Sequence, residues 1–371
     1  MIELHGQYNT AKIFTDNAVF STIEQVKYLL NQPFMAGSII RVMPDAHVGI
    51  GCVVGMTMTI TDKAVPGFVG VDIGCGVHVA ALKDKRLDFN QFDKAVHQLI
   101  PAGFNARQTS HHFNDNIDLK MLRCAKNQRV NIDRAVFSLG TLGGGNHFIE
   151  VGQDDDGQLY LLIHSGSRGL GKQVCEYYQR IAAAEAKTRV GAGDRLLAYL
   201  EGDSLDDYLH DMALVQEYAD LNRRAIVNVL AKQIKFKIAE EFSTVHNYID
   251  IDAMILRKGA VSAMDGEQLI VPMNMRDGSL LCVGKGNPDW NYSAPHGAGR
   301  SMSRKEAKEQ ITLTQYEKAM KGIFSTTVNR ATIDEAPFAY KPMQEIIDNS
   351  NDTMTVIGMV KPLYNFKAGQ E

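Results

Sequence analysis

The chain of 371 residues is long enough to bury a sizeable core, and its 45% hydrophobic and 22% charged residues are ordinary for a globular protein. A formal net charge of −4 argues against a protein that coats nucleic acid through bulk positive charge, although it leaves room for a local basic groove. The five cysteines do not indicate a disulfide framework, and no long apolar run or secretory leader is present, so we expect a cytoplasmic protein without a membrane segment.

Strand-like and helical stretches alternate along the chain. Residues 38–84 contain short apolar runs interrupted by glycine, which predict β-strands, whereas residues 89–129 are polar and predict mostly helix. Residues 133–152 and 159–171 return to apolar runs with glycine-rich loops. Residues 172–242 carry apolar side chains at i, i+3 and i+4 and therefore predict long helices.

The strand pattern resumes in residues 269–284 and again in residues 354–369. Glycine-rich loops therefore lie on both sides of the helical segment, and no Pro/Ser-rich linker separates them. This arrangement predicts one α+β domain over residues 1–371, with a helical insertion at about 172–242 and a functional site assembled from distant segments.

The segment "GVDIGCGV" brings a carboxylate and a thiol into one glycine-rich loop. Asp72 and Cys75 are three residues apart, and a thiolate beside a carboxylate can hold one or two divalent cations. The alternative is a buried cysteine that acts as a small hydrophobic residue, with Asp72 in a turn.

Three histidines occupy similar positions in other loops. His147 ends the glycine run of "GTLGGGNHFIE", His164 ends the apolar run of "LLIHSGSRGLG", and His246 lies in "FSTVHNYIDID". Each has an ordinary alternative, namely a tight turn, a core histidine with satisfied hydrogen bonds, and a surface histidine after a helix. Together with the Asp–Cys pair they form a set of metal-binding side chains, although no CxxC or HExxH spacing indicates a zinc finger or a zincin.

The segment "SAPHGAGRSMSR", residues 293–304, surrounds His296 with small residues. Gly297 and Gly299 leave space for another group to approach the backbone. Arg300 and Arg304 follow, and guanidinium groups suit phosphate oxygens. The pattern favours the approach of a phosphate-bearing group to this histidine.

These segments together resemble the RtcB family of RNA-splicing ligases. The resemblance is carried by "MPDAHVGIG", "GVDIGCGV", "GTLGGGNHFIE", "HSGSRGLG", "RKGAVSA", "HGAGRSMSR" and "YKP", and it extends from Met43 to Lys367. It implies a single α+β domain in which mixed β-sheets, flanked by helices, surround a deep metal-containing cleft.

The resemblance also implies a reaction. Family members join RNA ends that carry a 2′,3′-cyclic phosphate or a 3′-phosphate to 5′-OH ends, in RNA repair or tRNA splicing, using GTP and two Mn²⁺ ions. The reaction passes through a GMP–histidine intermediate and an RNA end bearing 3′-ppG. RNA with such ends and GTP are the expected partners, the protein is expected to be a monomer, and an activating helper protein is left open.

The catalytic positions of the family carry over by motif. His296 matches the histidine that receives GMP, and Asp45 matches the carboxylate that orients it and fixes its tautomer. Lys367 matches a catalytic lysine near the C-terminus. The residues agree with this assignment, because a nucleophile that attacks a bulky triphosphate needs small neighbours and cationic support.

The metal ligands carry over in the same way. The resemblance implies that the thiolate of Cys75 bridges two manganese ions. It implies that the remaining ligands are Asp72 and His147 for one ion, and His164 and His246 for the other. Softness of the donors alone would suggest zinc, so manganese comes from the resemblance and not from the residues.

The largest group of residues that the resemblance implies is the one that lines the nucleotide pocket. Its predicted GTP contacts, besides His296, are Asn146, His147, Phe148, Glu150, His246, Asn247, Pro272, Asn274, Ser279, Gly297, Ala298, Gly299, Arg300, Tyr340 and Lys367. Within and beside this set, Arg300 and Arg168 are the candidates for phosphate binding.

One segment departs from the family pattern. Where many members read Pro-Gly-Ser-Met-Gly, this chain reads "PMNMRDGS" at residues 272–279. Met273 adds bulk beside the expected phosphates, and Arg276 and Asp277 add charge. We expect either that Arg276 replaces a lost phosphate contact or that it pairs with Asp277 in a surface turn.

Two other functions stay open at this level. A metal-dependent RNA-end phosphatase or cyclic phosphodiesterase would keep the metal ligands but would need neither His296 nor Lys367, and both are present. A non-catalytic RNA-binding protein is disfavoured by the complete ligand set and by the acidic charge balance.

Overall fold

A six-stranded sheet forms one wall of the molecule. The computed structural model describes residues 1–127, 129–190 and 194–369. The strands of this sheet are Ile2–His5 (β1), Thr10–Ile13 (β2), Ile40–His47 (β3), Val54–Thr59 (β4), Asn247–Asp250 (β9) and Ile255–Lys258 (β10). Their order is β1–β2–β3–β4–β10–β9, and β2 runs parallel to β3 while the other pairs are antiparallel.

A seven-stranded antiparallel sheet forms a second wall. Its strands are Gly76–Leu82 (β5), Phe148–Gln153 (β6), Leu159–Ser165 (β7), Ile238–Val245 (β8), Gln268–Asn274 (β12), Gly278–Gly284 (β13) and Met354–Lys367 (β15). The order is β12–β13–β15–β6–β7–β5–β8. The first part of β15 pairs with β13 and the second part with β6, so this one strand curls the sheet.

A two-stranded sheet of Ala260–Ser262 (β11) and Ser293–Pro295 (β14) connects the walls. Because β14 ends at Pro295, His296 leaves the sheet at its edge. The glycine-rich loops at the strand ends, like the loop of His296, meet between the two large sheets.

Helices pack outside the sheets. The α-helices are Phe20–Leu30 (α1), Pro66–Val69 (α2), Phe89–Leu99 (α3), Ile132–Ser138 (α4), Arg168–Val190 (α5), Asp203–Ile234 (α6), Arg304–Gln310 (α7), Leu313–Ala319 (α8) and Met343–Ser350 (α9). Short 3₁₀ helices are Pro33–Met35, His112–Asn116, Leu119–Met121, Arg123–Asn127, Pro288–Trp290, Arg330–Glu335 and Pro337–Ala339. Among the described residues, no helix has the length and apolar character needed to cross a bilayer.

Helix α6 braces the loops of the cavity through buried polar side chains. Asn222 accepts hydrogen bonds from the backbone N–H groups of Gly140 and Thr141, and its Nδ2 donates to the carbonyl oxygens of Thr141 and Gly166. Arg223 is fully buried and donates to the carbonyl oxygens of Gly74 and Ser165 at 2.6 and 3.0 Å. These contacts satisfy buried carbonyl groups in the loops and at the strand ends around the cavity.

The predicted α+β class with mixed sheets and flanking helices is confirmed. The expectation of a mostly helical stretch at residues 89–129 is wrong in detail, because α3 is the only α-helix among the residues of this stretch that the structure describes. Three short 3₁₀ helices follow within residues 112–127, and the first two begin where His111 and Asp118 accept hydrogen bonds from nearby backbone N–H groups. Such local side-chain bonds compete with the helical ladder.

The helical stretch predicted at residues 172–242 is also shifted. It begins at Arg168 in α5 and ends at Ile234 in α6, and residues 238–245 form β8 instead. Strand β8 lies at the edge of the seven-stranded sheet and is largely exposed, and it carries polar side chains such as Glu240 and Glu241 on both faces. A polar edge strand lacks the apolar alternation by which strands are recognised.

Candidate active site

A cavity of about 580 Å³ lies between the two large sheets, within the usual size range of ligand pockets. Its wall is assembled from loops that are far apart in sequence. It is lined by these residues of the predicted nucleotide set: Asn146, Phe148, Glu150, His246, Asn247, Pro272, Asn274, Ser279, His296, Gly297, Ala298, Gly299, Arg300, Tyr340 and Lys367. His147, the remaining member of that set, contacts Asp72 and Cys75 instead.

The five predicted metal ligands converge at one side of this cavity. Nε2 of His147 lies 3.0 Å from Oδ2 of Asp72 and 3.5 Å from Sγ of Cys75. The same sulfur lies 3.3 Å from Nε2 of His164, which in turn lies 3.4 Å from Nε2 of His246. The thiol therefore stands in the middle of the donor row, where a ligand shared by two ions would have to be.

Close packing holds the loop that carries Asp72 and Cys75. Gly74 between them has φ +73°, and a Cβ there would lie 2.9 Å from Ala219 and from the Cα of Gln216 in α6. Gly166 approaches from the other side, and a Cβ on it would lie 2.1 Å from Oδ1 of Asp72. Glycine is needed at both positions because a side chain would displace the carboxylate or the helix.

Backbone carbonyl groups set the tautomers of two histidines. Nδ1 of His147 lies 2.9 Å from the carbonyl oxygen of Leu142, and Nδ1 of His164 lies 3.1 Å from that of Asn146. A proton on each Nδ1 donates to the carbonyl group. Both Nε2 lone pairs are thereby directed at the donor cluster, the arrangement by which proteins orient metal-binding imidazoles.

The buried environment sets the charges of these donors. Burial lowers the pKa of His164 and His246 well below the usual value, so both rings are neutral. Burial opposes ionisation of Asp72, but the hydrogen bond and charge that His147 supplies when it is protonated, together with the charge of Arg168, lower its pKa to about 2. Burial and the charge of Asp72 raise the pKa of the Cys75 thiol. A bound cation would reverse that last effect.

The donor set fits divalent transition metal ions. It combines one carboxylate, one thiol and three imidazoles, of which Cys75, His147 and His164 have ligand atoms within 4.8 Å of one another. Those three side chains are buried, so water competes little with the protein donors. The residues would hold a metal at this place, and the mixture of hard and soft donors does not select one element.

His296 stands next to the donor cluster, with its ring centroid 4.9 Å from that of His246. Its Nδ1 lies 2.6 Å from Oδ2 of the fully buried Asp45. Gly299 makes this approach feasible, because it has φ +68° and a Cβ there would lie 2.1 Å from the carbonyl oxygen of Asp45. A proton on Nδ1 would face the Asp45 carboxylate, and Nε2 of His296 would then be free to act as a nucleophile.

Glu335, a carboxylate that the sequence did not reveal, binds the cationic side chains of Arg304 and Lys367, which line the cavity and are called the cationic wall below. Glu335 is 2% exposed and accepts hydrogen bonds from Arg304 and Tyr340, both at 2.6 Å, and from Lys367 at 2.5 Å. Burial opposes ionisation of Glu335, but the charges of Lys367 and Arg304 lower its pKa to about 2. No motif marks this residue, because its partners come from three other segments.

The two arginines predicted to bind phosphate have different surroundings. Arg300 lines the cavity and lies with its guanidinium 5.1 Å from the ring centroid of Tyr340. Arg168 does not line it, since its guanidinium donates to Thr141 and to the carbonyl oxygen of Gly103. Arg168 has φ +57° at the start of α5 and packs behind the metal ligands rather than facing the cavity.

The divergent segment 272–279 forms the hairpin between β12 and β13. The side chain of Asn274 accepts hydrogen bonds from the backbone N–H groups of Arg276 and Asp277. Arg276 pairs with Asp277 at 2.7 Å and is 41% exposed. Met273 is buried among core side chains and also lines the cavity. Of the two expectations for Arg276, the geometry matches the surface turn.

Asn365 is a second cavity residue that the sequence analysis missed. It lies on β15 two residues before Lys367 and therefore on the same face of the strand. The strand alternation around Lys367 is the one signal in the sequence that could have identified it. Its side chain donates to Glu150 at 2.7 Å.

Known proteins resemble this chain over most of its length. The family model described as "tRNA-splicing ligase RtcB" matches residues 25–368. The RNA-splicing ligase RtcB of Escherichia coli strain K12 is 33% identical, over 86% of this chain and 87% of that protein. The tRNA-splicing ligase RtcB of Aeropyrum pernix is 30% identical over 91% and 90%, and the RNA-splicing ligase RtcB2 of an E. coli strain is 28% identical over 86% and 84%.

These matches include the segments that hold the metal donors, His296 and the cationic wall. They confirm the resemblance that the motifs indicated, and the chain belongs to the RtcB family.

Proposed function

We propose that this protein is a GTP-dependent RNA ligase, which joins an RNA end with a 2′,3′-cyclic phosphate or 3′-phosphate to a 5′-OH end. Ligase activity on RNA is supported by the names of its relatives. The observation that carries the proposed mechanism is the contact of 2.6 Å between Asp45 and His296 beside the donor cluster. It provides a histidine with a free nitrogen in the same cavity as metal donors and a cationic wall.

In the first step we propose that Nε2 of His296 attacks the α-phosphorus of GTP. A phosphorus–nitrogen bond forms, the bond to the bridging oxygen breaks, and pyrophosphate leaves. Asp45 stabilises the positive charge that develops on the ring by holding the Nδ1 proton. Arg300 and Lys367 face the phosphates and offset the charge on their oxygens.

In the later steps the guanylate passes to RNA. Where the end is a 2′,3′-cyclic phosphate, water first attacks its phosphorus and the bond to O2′ breaks, which leaves a 2′-OH and a 3′-phosphate. An oxygen of the RNA 3′-phosphate attacks the phosphorus bound to His296, which releases the histidine and produces an RNA 3′-ppG end. The 5′-OH of the second RNA then attacks the 3′-phosphorus, and GMP leaves as the phosphodiester forms. Two manganese ions, held by the donor row centred on Cys75, would supply Lewis-acid stabilisation of phosphate oxygens.

The base of the nucleotide would lie against Glu150. Burial raises the pKa of Glu150 to about 7, although the hydrogen bond from Asn365 and the charge of Lys367 oppose this. In its ionised form Glu150 accepts hydrogen bonds from the N–H groups of guanine, which favour that form, whereas it would face a lone pair on adenine N1. We therefore propose GTP, and not ATP, as the nucleotide substrate. We further propose a cytoplasmic monomer in which residues 1–371 form one domain.

The test is incubation with Mn²⁺ and GTP labelled at the α-phosphate, followed by isolation of the protein. We expect an acid-labile label on the wild type, and none when the label is on the γ-phosphate. His296→Ala should remove the label, and His97→Ala, a change on the outer part of α3, should keep it. Label that survives in His296→Ala would overturn the assignment.

The same preparation separates the alternative functions. An RNA substrate with a 3′-phosphate should become joined to a 5′-OH strand only when GTP is present. Release of inorganic phosphate or opening of a cyclic phosphate, without labelled protein and without joining, would favour the phosphatase or phosphodiesterase alternative. RNA binding without any change of the ends would favour a non-catalytic role.

A further inference from the structure

Glu150 and Asn365 face each other across neighbouring strands in the wall of the cavity. They are register partners in the pairing of β6 with β15, so both side chains stand on the same face of the sheet. Nδ2 of Asn365 donates to Oε2 of Glu150 at 2.7 Å. Both residues line the cavity, and they are only 3% and 1% exposed.

Each of these side chains has one oxygen without a hydrogen-bond partner. Within the residues that the structure describes, Oε1 of Glu150 and Oδ1 of Asn365 are buried and unpaired. The orientation of the amide is set by its donation to Glu150, which leaves its oxygen as the free atom. A buried acceptor without a partner is unfavourable, and a ligand with suitably spaced donors would remove the deficit.

Two neighbouring acceptors match a ligand edge with two neighbouring donors. Guanine presents a ring N1–H and an exocyclic 2-amino group side by side. Hypoxanthine keeps the N1–H and lacks the amino group, and adenine presents a lone pair at N1. Among purine bases, this wall therefore complements guanine at both positions.

We propose that Asn365 is a specificity-determining residue, whose Oδ1 accepts a hydrogen bond from the 2-amino group of guanine while Glu150 accepts from N1–H. This inference rests on the proposed function, because it assumes that the cavity holds a guanine nucleotide. It goes beyond that function in assigning the amino group to a residue outside the set predicted from the sequence. The hydrogen bond between the two side chains makes them a single recognition unit.

A purely structural role would have a different consequence. If Asn365 only orients Glu150, its removal would weaken the binding of guanine and hypoxanthine nucleotides equally. Both bases carry the N1–H group that donates a hydrogen bond to Glu150. If Oδ1 of Asn365 contacts the 2-amino group, removal of Asn365 would weaken the binding of guanine nucleotides selectively. The ratio of the two affinities therefore separates positioning from direct recognition.

The experiment is equilibrium binding of GMP, IMP and AMP to the full-length protein, measured by calorimetry. Monophosphates cannot guanylylate a histidine, so the measurement is independent of catalysis. The variants are Asn365→Leu, which removes both polar atoms at similar size, and Asn365→Asp, which retains an acceptor oxygen. Tyr364→Phe is the matched control, since it removes a buried hydrogen bond to Asp93 from the adjacent position of the same strand.

We expect the wild type to bind GMP roughly five- to tenfold more tightly than IMP, as one hydrogen bond would give. Asn365→Leu should bring the two affinities to within about twofold, while Asn365→Asp and Tyr364→Phe should keep the preference. A wild type that does not distinguish GMP from IMP overturns the inference even if no variant folds. An unchanged preference in Asn365→Leu overturns it too, and binding of AMP as tight as GMP contradicts the proposed function itself.

Discussion

Oδ2 of Asp45 lies 2.6 Å from Nδ1 of His296, although the two residues are 251 positions apart. The same oxygen also lies within hydrogen-bond distance of the backbone N–H groups of His296 and Gly297. The fully buried carboxylate therefore fixes both the ring and the backbone that carries it. The pair links the six-stranded sheet to the loop after β14.

Asp45→Asn should leave the fold intact and slow guanylylation of His296 by at least roughly a hundredfold, because an amide cannot stabilise the charged ring as a carboxylate does. The measurement is the rate of label transfer from GTP, with the melting temperature as a check on folding. A rate within about threefold of wild type at an unchanged melting temperature would contradict a role for Asp45 in orienting the nucleophile.

Cys75→Ala should lose both metal ions and all RNA joining, because the sulfur lies between the two halves of the donor row. His246→Ala should lose mainly one ion, since His246 lies at one end of that row. Metal content per chain, measured after dialysis against limiting Mn²⁺, tests both. Cys282→Ala is the control, as it removes a buried thiol outside the donor set. Two retained ions in Cys75→Ala would falsify the shared-sulfur arrangement.

Glu335 should contribute stability that depends on pH. Its pKa is about 2 in the folded protein and 4.5 without its partners, a difference equivalent to roughly 3 kcal/mol of unfolding free energy. Because the folded pKa is the lower one, this stability is present above about pH 4.5 and is lost as the pH falls toward about 2.

Glu335→Gln should therefore be destabilised most at neutral pH, and its difference from the wild type should shrink in acid. Denaturant unfolding at neutral pH and near pH 3 measures the effect, with the exposed Glu317→Gln as a control. Guanylylation should fall as well, because Lys367, Arg304 and Tyr340 lose their common acceptor. A destabilisation that is independent of pH would contradict the ion-pair account.

Arg276→Ala should leave guanylylation and RNA joining within about twofold of wild type. The guanidinium is 41% exposed and pairs with Asp277, and exposed pairs contribute roughly 0–1 kcal/mol. Rates of both steps, together with the melting temperature, are the measurement. A loss of about tenfold with an unchanged melting temperature would instead indicate a contact with phosphate or RNA.

Much of the candidate site follows from local chemistry in the sequence. The glycines beside Cys75 and His296 mark places where backbone must turn sharply or another group must approach closely, a constraint that only small residues satisfy. Asp, Cys and His in such loops indicate metal donors by residue type alone. The α+β class follows from the alternation of apolar periodicities, which short segments carry by themselves.

Contacts between distant segments were decided by the tertiary structure. The donors from residue 72 to residue 246 meet in one row only because β6, β7, β5 and β8 are consecutive neighbours in the seven-stranded sheet. Glu335 and Asn365 enter the site through partners on other segments, Lys367 and Glu150 respectively, and no local pattern encodes such a pairing. Arg168 shows the reverse case, since a φ of +57° directs a promising arginine behind the metal ligands. Residue types thus specify which chemistry is available, whereas the order of the strands specifies which side chains meet.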